Sequence, residues 1–419
     1  MPNTPASKFS SLQGYGTAFA VSTAMVFFLG LDARAEDQVA PASSAGFQGL
    51  PPIGDRTLPP PSRMKRGRIV RDEGGALSLV ENSARELRIC PPEDTGSCQF
   101  SDLASALAAA YPGDTLVLAP GIHPSGANVS VDYVTVRGEP GAHLKGAAVE
   151  GKGALVISGA GVTVEGLECS EISVRDRNGA CIRLEAPDLT VRNVNFHDND
   201  QGILVGGGAS GTLLVEKSRF ERNGRGGRAH GLYVSSDIDE FVFTGNVVVS
   251  TKDEGHGVKS RAKKTFIAGN IIAGLEARDS RAIDISNGGE VVIRGNVLQK
   301  GPNSSNWQMI GVALEKRTHA RNRTEIEDNL FIFDTVTGAD GVIGSLQRWG
   351  QSLGLTAQKG VAVRSKSPEP VSFVRNILVG GKAIGVPADP EENKRYNDRR
   401  SAGLKDFPTL PTKAAQPTD

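Results

Sequence analysis

A small group of residues that transfer protons and bind negative charge lies together in the middle of the chain. His230 and His256 each precede a short apolar segment at equivalent positions, and they are two of only six histidines in the sequence. Tyr233 follows the first histidine, and Lys259 and Arg261 follow the second. Imidazole, phenol and amine groups transfer protons, while Lys and Arg stabilise negative charge. We interpret this group as the best candidate site in the sequence.

The elements that must position these residues are indicated by a repeat of eight residues that occurs nine times. Apolar residues stand two apart in each copy, and no helical pattern separates the copies. A repeat of this kind is typical of a solenoid of strands, each with one buried face. The copies are VTVRGEPG from Val134, VTVEGLEC from Val162, LTVRNVNF from Leu189, LLVEKSRF from Leu213, FVFTGNVV from Phe241, TFIAGNII from Thr265, VVIRGNVL from Val291, TEIEDNLF from Thr324 and VSFVRNIL from Val371.

Asparagine occupies the sixth position of the last five copies. Side chains stacked on successive coils can hydrogen-bond along the stack and satisfy the backbone of the turns. We interpret these residues as an internal asparagine ladder and not as a site. They are Asn246, Asn270, Asn296, Asn329 and Asn376.

A second strand-like segment recurs between the copies and carries the candidate residues. Strand alternation sends its apolar residues inward and the residues between them outward. Parallel strands in register then give two exterior columns, with neighbours roughly 4.8 Å apart. The predicted columns are Arg183, Leu204, Tyr233, Lys259, Asp284 and Ala313, and Glu185, Gly206, Ser235, Arg261, Ser286 and Glu315.

Composition limits the partners and the number of domains. The formal net charge is zero, so no global field favours a nucleic acid or an anionic membrane, and we expect no nucleic-acid partner. Repeats grow by addition, so the 419 residues do not require several domains. We expect one solenoid domain over residues 85–380 and a monomeric protein.

The first 35 residues have the pattern of an export signal. An apolar stretch from Thr17 to Leu31 precedes Ala33 and Ala35, which match a signal-peptidase site. The stretch is short for a membrane span. We predict a cleaved signal peptide over residues 1–35, a periplasmic or secreted location and no stable membrane insertion after cleavage; an uncleaved anchor is the alternative. Residues 36–84, rich in Pro and Gly, are predicted to be a linker, and residues 381–419 a polar, partly disordered tail.

Export makes the four cysteines candidates for two disulfides. Cys90 and Cys98 bracket a turn-rich stretch, and Cys169 and Cys181 lie about half a coil apart. We predict these two pairs, although four cysteines allow three pairings. None of the cysteines has the spacing of a zinc site.

Two elements flank or interrupt the repeat. Residues 101–111 form a predicted amphipathic helix, with Ser101 as its N-cap and Pro112 ending it, that caps the open end of the solenoid. An insert of roughly residues 336–358 carries Trp349, which either stacks on a sugar ring or anchors its own loop.

The features that carry a resemblance to known proteins are the repeat, the Asn column and the segment PGDTLVLAPG at 112–121. The chain resembles the right-handed parallel β-helix proteins of the pectate-lyase-like superfamily over about residues 85–380. The resemblance implies an all-β fold, a right-handed parallel β-helix with a short N-terminal capping helix. Members include polysaccharide lyases, polygalacturonases, mannuronan epimerases and non-catalytic adhesins, so fold alone does not choose an activity.

The lyases of this superfamily cleave uronate-containing polysaccharides by β-elimination, and the resemblance implies the same here. They need a proton acceptor, a proton donor and positive charge that neutralises the uronate carboxylate. By residue type, Lys259 matches the base and Arg261 the neutraliser, with His230, Tyr233 and His256 as rival proton-transfer groups. Both cations lie on one strand, which departs from the arrangement on two coils that we would expect. The remaining substrate-binding candidates are Asp284, Arg281, Arg228, Asn287 and Trp349.

Several alternatives remain open for an acidic-polysaccharide partner. A C5-epimerase shares the first proton abstraction. A glycoside hydrolase needs paired carboxylates. The carboxylates nearest to Asp284 in the exterior columns are those of Glu315 and Glu185, which are two or more coils away by our count. A non-catalytic carbohydrate-binding or envelope-assembly solenoid needs no chemistry. No cofactor is required, but Ca²⁺ is an option, with Asp237, Asp253 and Glu254 as oxygen ligands in turns beside the site.

Overall fold

Parallel β-strands account for almost all of the regular secondary structure among the described residues. The computed structural model describes residues 67–71, 77–81 and 84–404, apart from residues 95, 97, 147, 316–318, 335–359, 368 and 382. The predicted signal peptide and Trp349 therefore lie outside the described residues. No helix among the described residues is both long enough and apolar enough to cross a membrane.

Three parallel sheets run along the solenoid, and each complete coil adds one strand to each sheet, whereas the terminal coils do not. Sheet I consists of β3 (Glu86–Ile89), β4 (Thr115–Leu118), β7 (Thr135–Gly138), β10 (Val162–Glu165), β13 (Pro187–Arg192), β16 (Ser210–Glu216), β19 (Glu240–Thr244), β22 (Lys264–Ala268), β25 (Glu290–Arg294), β28 (Arg323–Glu327) and β31 (Val371–Val374). Sheet II consists of β5 (Gly121–His123), β8 (Ala142–Lys145), β11 (Glu168–Ser170), β14 (Asn195–His197), β17 (Arg219–Glu221), β20 (Val247–Val249), β23 (Ile271–Ala273), β26 (Val297–Lys300), β29 (Leu330–Phe333), β32 (Ile377–Val379) and β33 (Lys394–Tyr396). Sheet III consists of β6 (Ala127–Val129), β9 (Gly153–Ile157), β12 (Ala180–Leu184), β15 (Gln201–Val205), β18 (Leu232–Val234), β21 (Val258–Ser260), β24 (Ile283–Ile285), β27 (Gln308–Val312) and β30 (Val361–Ser365).

Each eight-residue copy after the first contributes to two strands joined by a sharp corner, rather than to the single strand that we predicted. In the copy from Phe241, β19 ends at Thr244 and β20 begins at Val247. Gly245 takes the left-handed backbone conformation between them, with φ of 63°. A left-handed residue turns the chain within two residues, and glycine adopts that conformation without strain. The buried positions shift at the corner from Phe241 and Phe243 to Asn246 and Val248, and because Val247 is apolar as well, periodicity alone did not reveal the shift.

The predicted asparagine ladder lies at this corner and is fully buried. The Oδ1 atom of Asn270 accepts hydrogen bonds from the backbone N–H of Asn246 (2.8 Å) and from its Nδ2 (3.2 Å). The Nδ2 atom of Asn270 donates to the backbone oxygen of Phe243 at 2.9 Å and to Asn296 Oδ1 at 2.9 Å. Every rung thus satisfies buried backbone groups of its neighbours, which would otherwise be costly to bury.

The core between the sheets is apolar, and the predicted cap covers its N-terminal end. The helix α1 spans Leu103–Ala109 and buries Leu103, Ala106 and Leu107. Its N-cap is Asp102, not Ser101 as predicted, because the Asp102 carboxylate accepts the backbone N–H of Ser105 at 2.8 Å.

Two segments outside the predicted solenoid contain strands. Residues predicted as linker contain an antiparallel pair, β1 (Gly67–Arg71) and β2 (Leu77–Glu81). At the other end, β33 lies within the predicted tail and pairs with β32. Asn393 extends the asparagine ladder there, because its Oδ1 accepts the backbone N–H of Asn376 at 3.0 Å.

Both predicted disulfides are present. Cys90 is bonded to Cys98, and Cys169 is bonded to Cys181. The second bond joins β11 of sheet II to β12 of sheet III and so ties two sheets together. The structure confirms the predicted parallel β-helix.

We predict that Asn270→Ala lowers the free energy of unfolding by about 3 kcal/mol, because two buried backbone groups lose their partners at once. Urea unfolding followed by circular dichroism measures the change. Asn128→Ala is the matched control, since Asn128 is exposed on β6 and bonds only other side chains. Equal stability of the two variants would contradict the structural role of the ladder.

Candidate functional site

The predicted exterior column forms on sheet III. Lys259 pairs in register with Tyr233 on one side and with Asp284 on the other. The next position is Gly311, not Ala313, because Ile283 pairs with Ile310. The run Met309–Ala313 is apolar or small throughout, so alternation fits two registers that differ by two residues.

The column is not the solvated row that we predicted. Lys259 is only 7% exposed and Asp284 only 1%. Arg281 lies across Asp284, and Gly311 makes room for it: a Cβ atom at Gly311 would come within 2.8 Å of both Arg281 Cδ and Asp284 Oδ1. Tyr233 and Arg261 are half-buried. The expectation that these positions all face open solvent was therefore wrong for Lys259 and Asp284.

Asp284 is the anionic centre of the site. Its Oδ1 accepts a hydrogen bond from Arg281 NH1 at 3.1 Å, and its Oδ2 accepts one from Ser286 Oγ at 2.6 Å. The ammonium of Lys259 lies 3.8 Å from Oδ2. A buried carboxylate needs cationic and hydrogen-bonding partners of this kind to offset its lost hydration. Asp284 therefore holds Arg281 and Lys259 in place.

Lys259 and Arg261 converge on a single carboxylate, that of Glu315. Lys259 Nζ lies 2.6 Å from Glu315 Oε1, and Arg261 NH2 donates to Glu315 Oε2. We expected Glu315 to lie two or more coils from Asp284, on a count of coils along the chain. The loop after β27 returns toward Arg261, where the ring of His319 bonds the backbone oxygen of Arg261 at 2.8 Å. No sequence signal pointed to either contact.

The two aligned histidines have a structural role that we did not foresee. The backbone N–H of His256 donates to His230 Nδ1 at 3.1 Å, and that of Arg281 donates to His256 Nδ1 at 3.1 Å. The rings stack with centroids 4.9 Å apart. With Nδ1 accepting, each neutral ring carries its proton on Nε2. These histidines therefore present N–H donors and not proton-accepting nitrogens.

Burial keeps both rings neutral. It lowers the pKa of His230 well below the usual value, and His256, Lys259 and Arg261 lower it further although Asp284 opposes them. Burial likewise lowers the pKa of His256, with smaller contributions from Lys259, Arg281 and Lys300. At neutral pH the pair adds no charge to the site.

Several donors at the site have no hydrogen-bond partner within the described part of the chain. They are the buried atoms Arg261 Nε, Arg281 Nε and Ser235 Oγ. Tyr233 lies beside them, with the guanidinium of Arg261 5.7 Å from its ring centroid. Unpartnered buried donors are uncommon in proteins and are suited to an anionic or hydroxyl-rich ligand.

The remaining candidates are dispersed. Arg228 is exposed in the loop before His230, and Asn287 is buried directly after β24. Asp237 follows the carboxyl end of β18, whereas Asp253 and Glu254 precede the amino end of β21, and Glu254 lies 2.5 Å from Arg278. These three acidic residues do not form a group of ligand atoms within metal-binding distance of one another.

A buried lysine that was not among the predicted site residues lies close enough to His256 to lower the pKa of that histidine. Lys300 is fully buried at the end of β26, where Nζ donates to the backbone oxygen of Ser280 and to Ser304 Oγ. Burial lowers the pKa of Lys300 to about 8, although Asp279, 3.9 Å away, opposes the change. Burial also raises the pKa of Asp279. Lost hydration therefore outweighs the attraction within this pair.

The comparisons with known proteins agree with the fold. Residues 121–298 match the family model described as right handed beta helix region. The protein is a right-handed parallel β-helix, the architecture of the pectate-lyase-like proteins that the sequence resembles. A comparison of the sequence with curated proteins gave no match.

Several solved structures are similar to this chain at low identity. Pectate lyase Pel9A is 15% identical with a TM-score of 0.44, over 74% of this chain and 80% of that one. The PL6 family alginate lyase AlyGC is 14% identical with a TM-score of 0.40, over 76% and 47%. The GH136 lacto-N-biosidase from Eubacterium ramulus is 12% identical with a TM-score of 0.42, over 74% and 68%. Likeness at this level concerns the fold alone.

We predict that the wild-type protein gains stability as the pH rises from 8 toward 10.5, relative to Lys300→Met. Lys300 has a pKa of about 8 when folded and an ordinary value of 10.5 when unfolded, so between these values the unfolded chain binds the extra proton. The gain is at most about 3 kcal/mol. Urea unfolding at several pH values measures it, with Lys264→Met as the exposed control. Parallel pH profiles of wild type and Lys300→Met would contradict the lowered pKa.

Proposed function

We propose that this protein is an exported polysaccharide lyase that cleaves a uronate-containing polysaccharide by β-elimination. The observation that carries the proposal is the convergence of Lys259 and Arg261 on one carboxylate, that of Glu315. An ammonium and a guanidinium on the same carboxylate are the arrangement that a uronate carboxylate needs for neutralisation.

Glu315 is a surrogate for the substrate carboxylate. Its side chain is 43% exposed, whereas that of Lys259 is 9% exposed, so the carboxylate is the partner that can leave. A uronate carboxylate that replaces the Glu315 carboxylate leaves both Lys259 and Arg261 paired with an anion. The unpartnered donors Arg261 Nε and Ser235 Oγ then have hydroxyl or carboxylate oxygens within their reach.

Tyr233 is the proton-transfer group in this proposal. The base removes the proton from the carbon next to the carboxylate, the electrons form a carbon–carbon double bond, and the bond to the 4-linked sugar oxygen breaks. The sugar oxygen then takes up that proton from the same group, which regenerates the base. His230 and His256 use Nδ1 for backbone hydrogen bonds, and Lys259 contacts two carboxylates as an ammonium. Tyr233 is the remaining candidate on the column, beside Lys259.

Two disulfides support the exported location, because such bonds persist in oxidising compartments. Whether the location is periplasmic or secreted is decided by fractionation. A C5-epimerase would use the same first proton abstraction, and product analysis distinguishes it: an epimerase inverts the sugar and releases no unsaturated end.

We predict that Tyr233→Phe, Lys259→Ala and Arg261→Ala each reduce turnover by about 10²-fold or more. Lys259→Arg retains more activity than Lys259→Ala, because the positive charge is what the site needs from this residue. Ultraviolet absorbance of the unsaturated product, released from a panel of acidic polysaccharides, measures turnover. Lys263→Ala is the control, since Lys263 pairs with Asp239 at 2.6 Å outside the site.

The outcomes of these experiments distinguish the candidate bases and the candidate functions. Loss of activity in Lys259→Arg equal to that in Lys259→Ala, with Tyr233→Phe active, would make Lys259 the base. Binding of an acidic glycan without any product would favour the carbohydrate-binding solenoid. Activity that disappears in EDTA and returns with Ca²⁺ would add calcium to the proposal.

We predict that Glu315→Gln lowers KM by about fivefold and leaves kcat nearly unchanged. The substrate no longer has to displace an ion-paired carboxylate, and separating a partly exposed pair costs about 1 kcal/mol. Steady-state kinetics on the best substrate of the panel measure both constants. A fall in kcat with KM unchanged would place Glu315 in the chemical step instead.

A further inference from the structure

A second group of side chains with metal-ligand chemistry lies on sheet II, away from the column on sheet III. His143 on β8, Glu168 on β11 and His197 on β14 come from three successive coils. One ligand atom from each lies within 4.8 Å of the other two, the only such group among the described residues. His197 Nε2 is 2.8 Å from Glu168 Oε1, and His143 Nδ1 is 3.9 Å from the same oxygen.

His197 has a carboxylate at each ring nitrogen. Its Nδ1 lies 2.9 Å from Asp198 Oδ2, and Asp198 is held by Arg222 through bonds of 2.9 and 2.7 Å. The ionised carboxylate of Asp198 can only accept a hydrogen bond, so Nδ1 of His197 carries the proton and the lone pair of its Nε2 faces Glu168. Two acceptors at 2.8 Å repel each other unless a cation lies between them. A carboxylate behind a metal-binding histidine is the common supporting arrangement.

His143 and Asn195 complete the surroundings. His143 Nε2 bonds Ser170 Oγ at 2.7 Å, and when it donates there its Nδ1 lone pair faces Glu168. Asn195 pairs in register with Glu168, and its Oδ1 is buried without a hydrogen-bond partner in the described structure. An amide oxygen of this kind accepts a hydrogen bond from a metal-bound water or binds the metal itself.

We propose that His143 Nδ1, the Glu168 carboxylate and His197 Nε2 bind one divalent transition-metal ion of the Zn²⁺ class. Two imidazoles and one carboxylate suit Zn²⁺, Co²⁺ or Ni²⁺ and not Ca²⁺, which takes oxygen ligands. Three protein ligands leave one position for water or an external ligand. The ion links three coils of sheet II, and the inference does not depend on the proposed lyase activity.

The test is titration of tag-free, EDTA-treated full-length protein with Zn²⁺ by calorimetry and with Co²⁺ by visible absorbance. We expect one equivalent of either ion and a rise in melting temperature on binding. His143→Gln and His197→Gln are each expected to weaken binding by about 100-fold or more, and Asp198→Asn by about 10- to 100-fold. Circular dichroism checks that each variant keeps the β-helix.

Two controls localise the ion. Glu171→Gln removes an exposed carboxylate of the same coil that pairs with Lys145, and His256→Gln removes one histidine of the stacked pair that His230 and His256 form. Both variants are expected to bind the metal as wild type does. Absence of stoichiometric binding, or wild-type affinity in folded His143→Gln and His197→Gln, overturns the proposal and leaves a proton as the cation between His197 and Glu168.

Discussion

Hydrogen bonding between consecutive coils is the constraint on which the rest of this structure depends. Each strand of a parallel β-helix pairs with the coil before and the coil after, but the corners interrupt that pairing. A buried corner must then find other partners for its N–H and C=O groups. Here side chains supply these hydrogen-bond partners, so residue types that are common in active sites can instead be structural caps.

Three stacks of side chains supply hydrogen-bond acceptors to the backbone N–H groups of neighbouring coils. The asparagine ladder continues from Asn246 to Asn393 and caps each N–H with the Oδ1 of the next coil. A second, shorter ladder joins Asn199 to Asn223, with Asn199 N 3.1 Å from Asn223 Oδ1. His230 and His256 do the same with Nδ1. The alignment of the histidines therefore follows from the coil geometry and does not by itself indicate catalysis.

The repeated features of the fold could be predicted from the sequence, whereas contacts that occur only once could not. Period-two alternation and the Asn column were sufficient for the solenoid, and the register of Tyr233, Lys259 and Asp284 followed from it. The corner inside the copies was missed because Val247 and Val248 are both apolar, so the shift of the buried positions at Gly245 was not visible in the sequence. Glu315 was missed because its contact with Lys259 spans 56 residues and depends on the path of a loop. Burial of Lys259 and Asp284 was missed for the same reason, since neighbouring side chains, and not strand alternation, cover them.

The charged residues of the site, rather than the two histidines, therefore have no sufficient structural explanation. A structural cap needs an acceptor toward the next coil, and His230 and His256 satisfy that need completely. Backbone capping does not require a lysine and an arginine two residues apart that share one exposed carboxylate. Burying the Lys259 ammonium beside Asp284 costs hydration free energy that an apolar residue would not lose. A folding requirement alone would favour the apolar residue, so the retained cation supports binding of an anionic ligand at this face of sheet III.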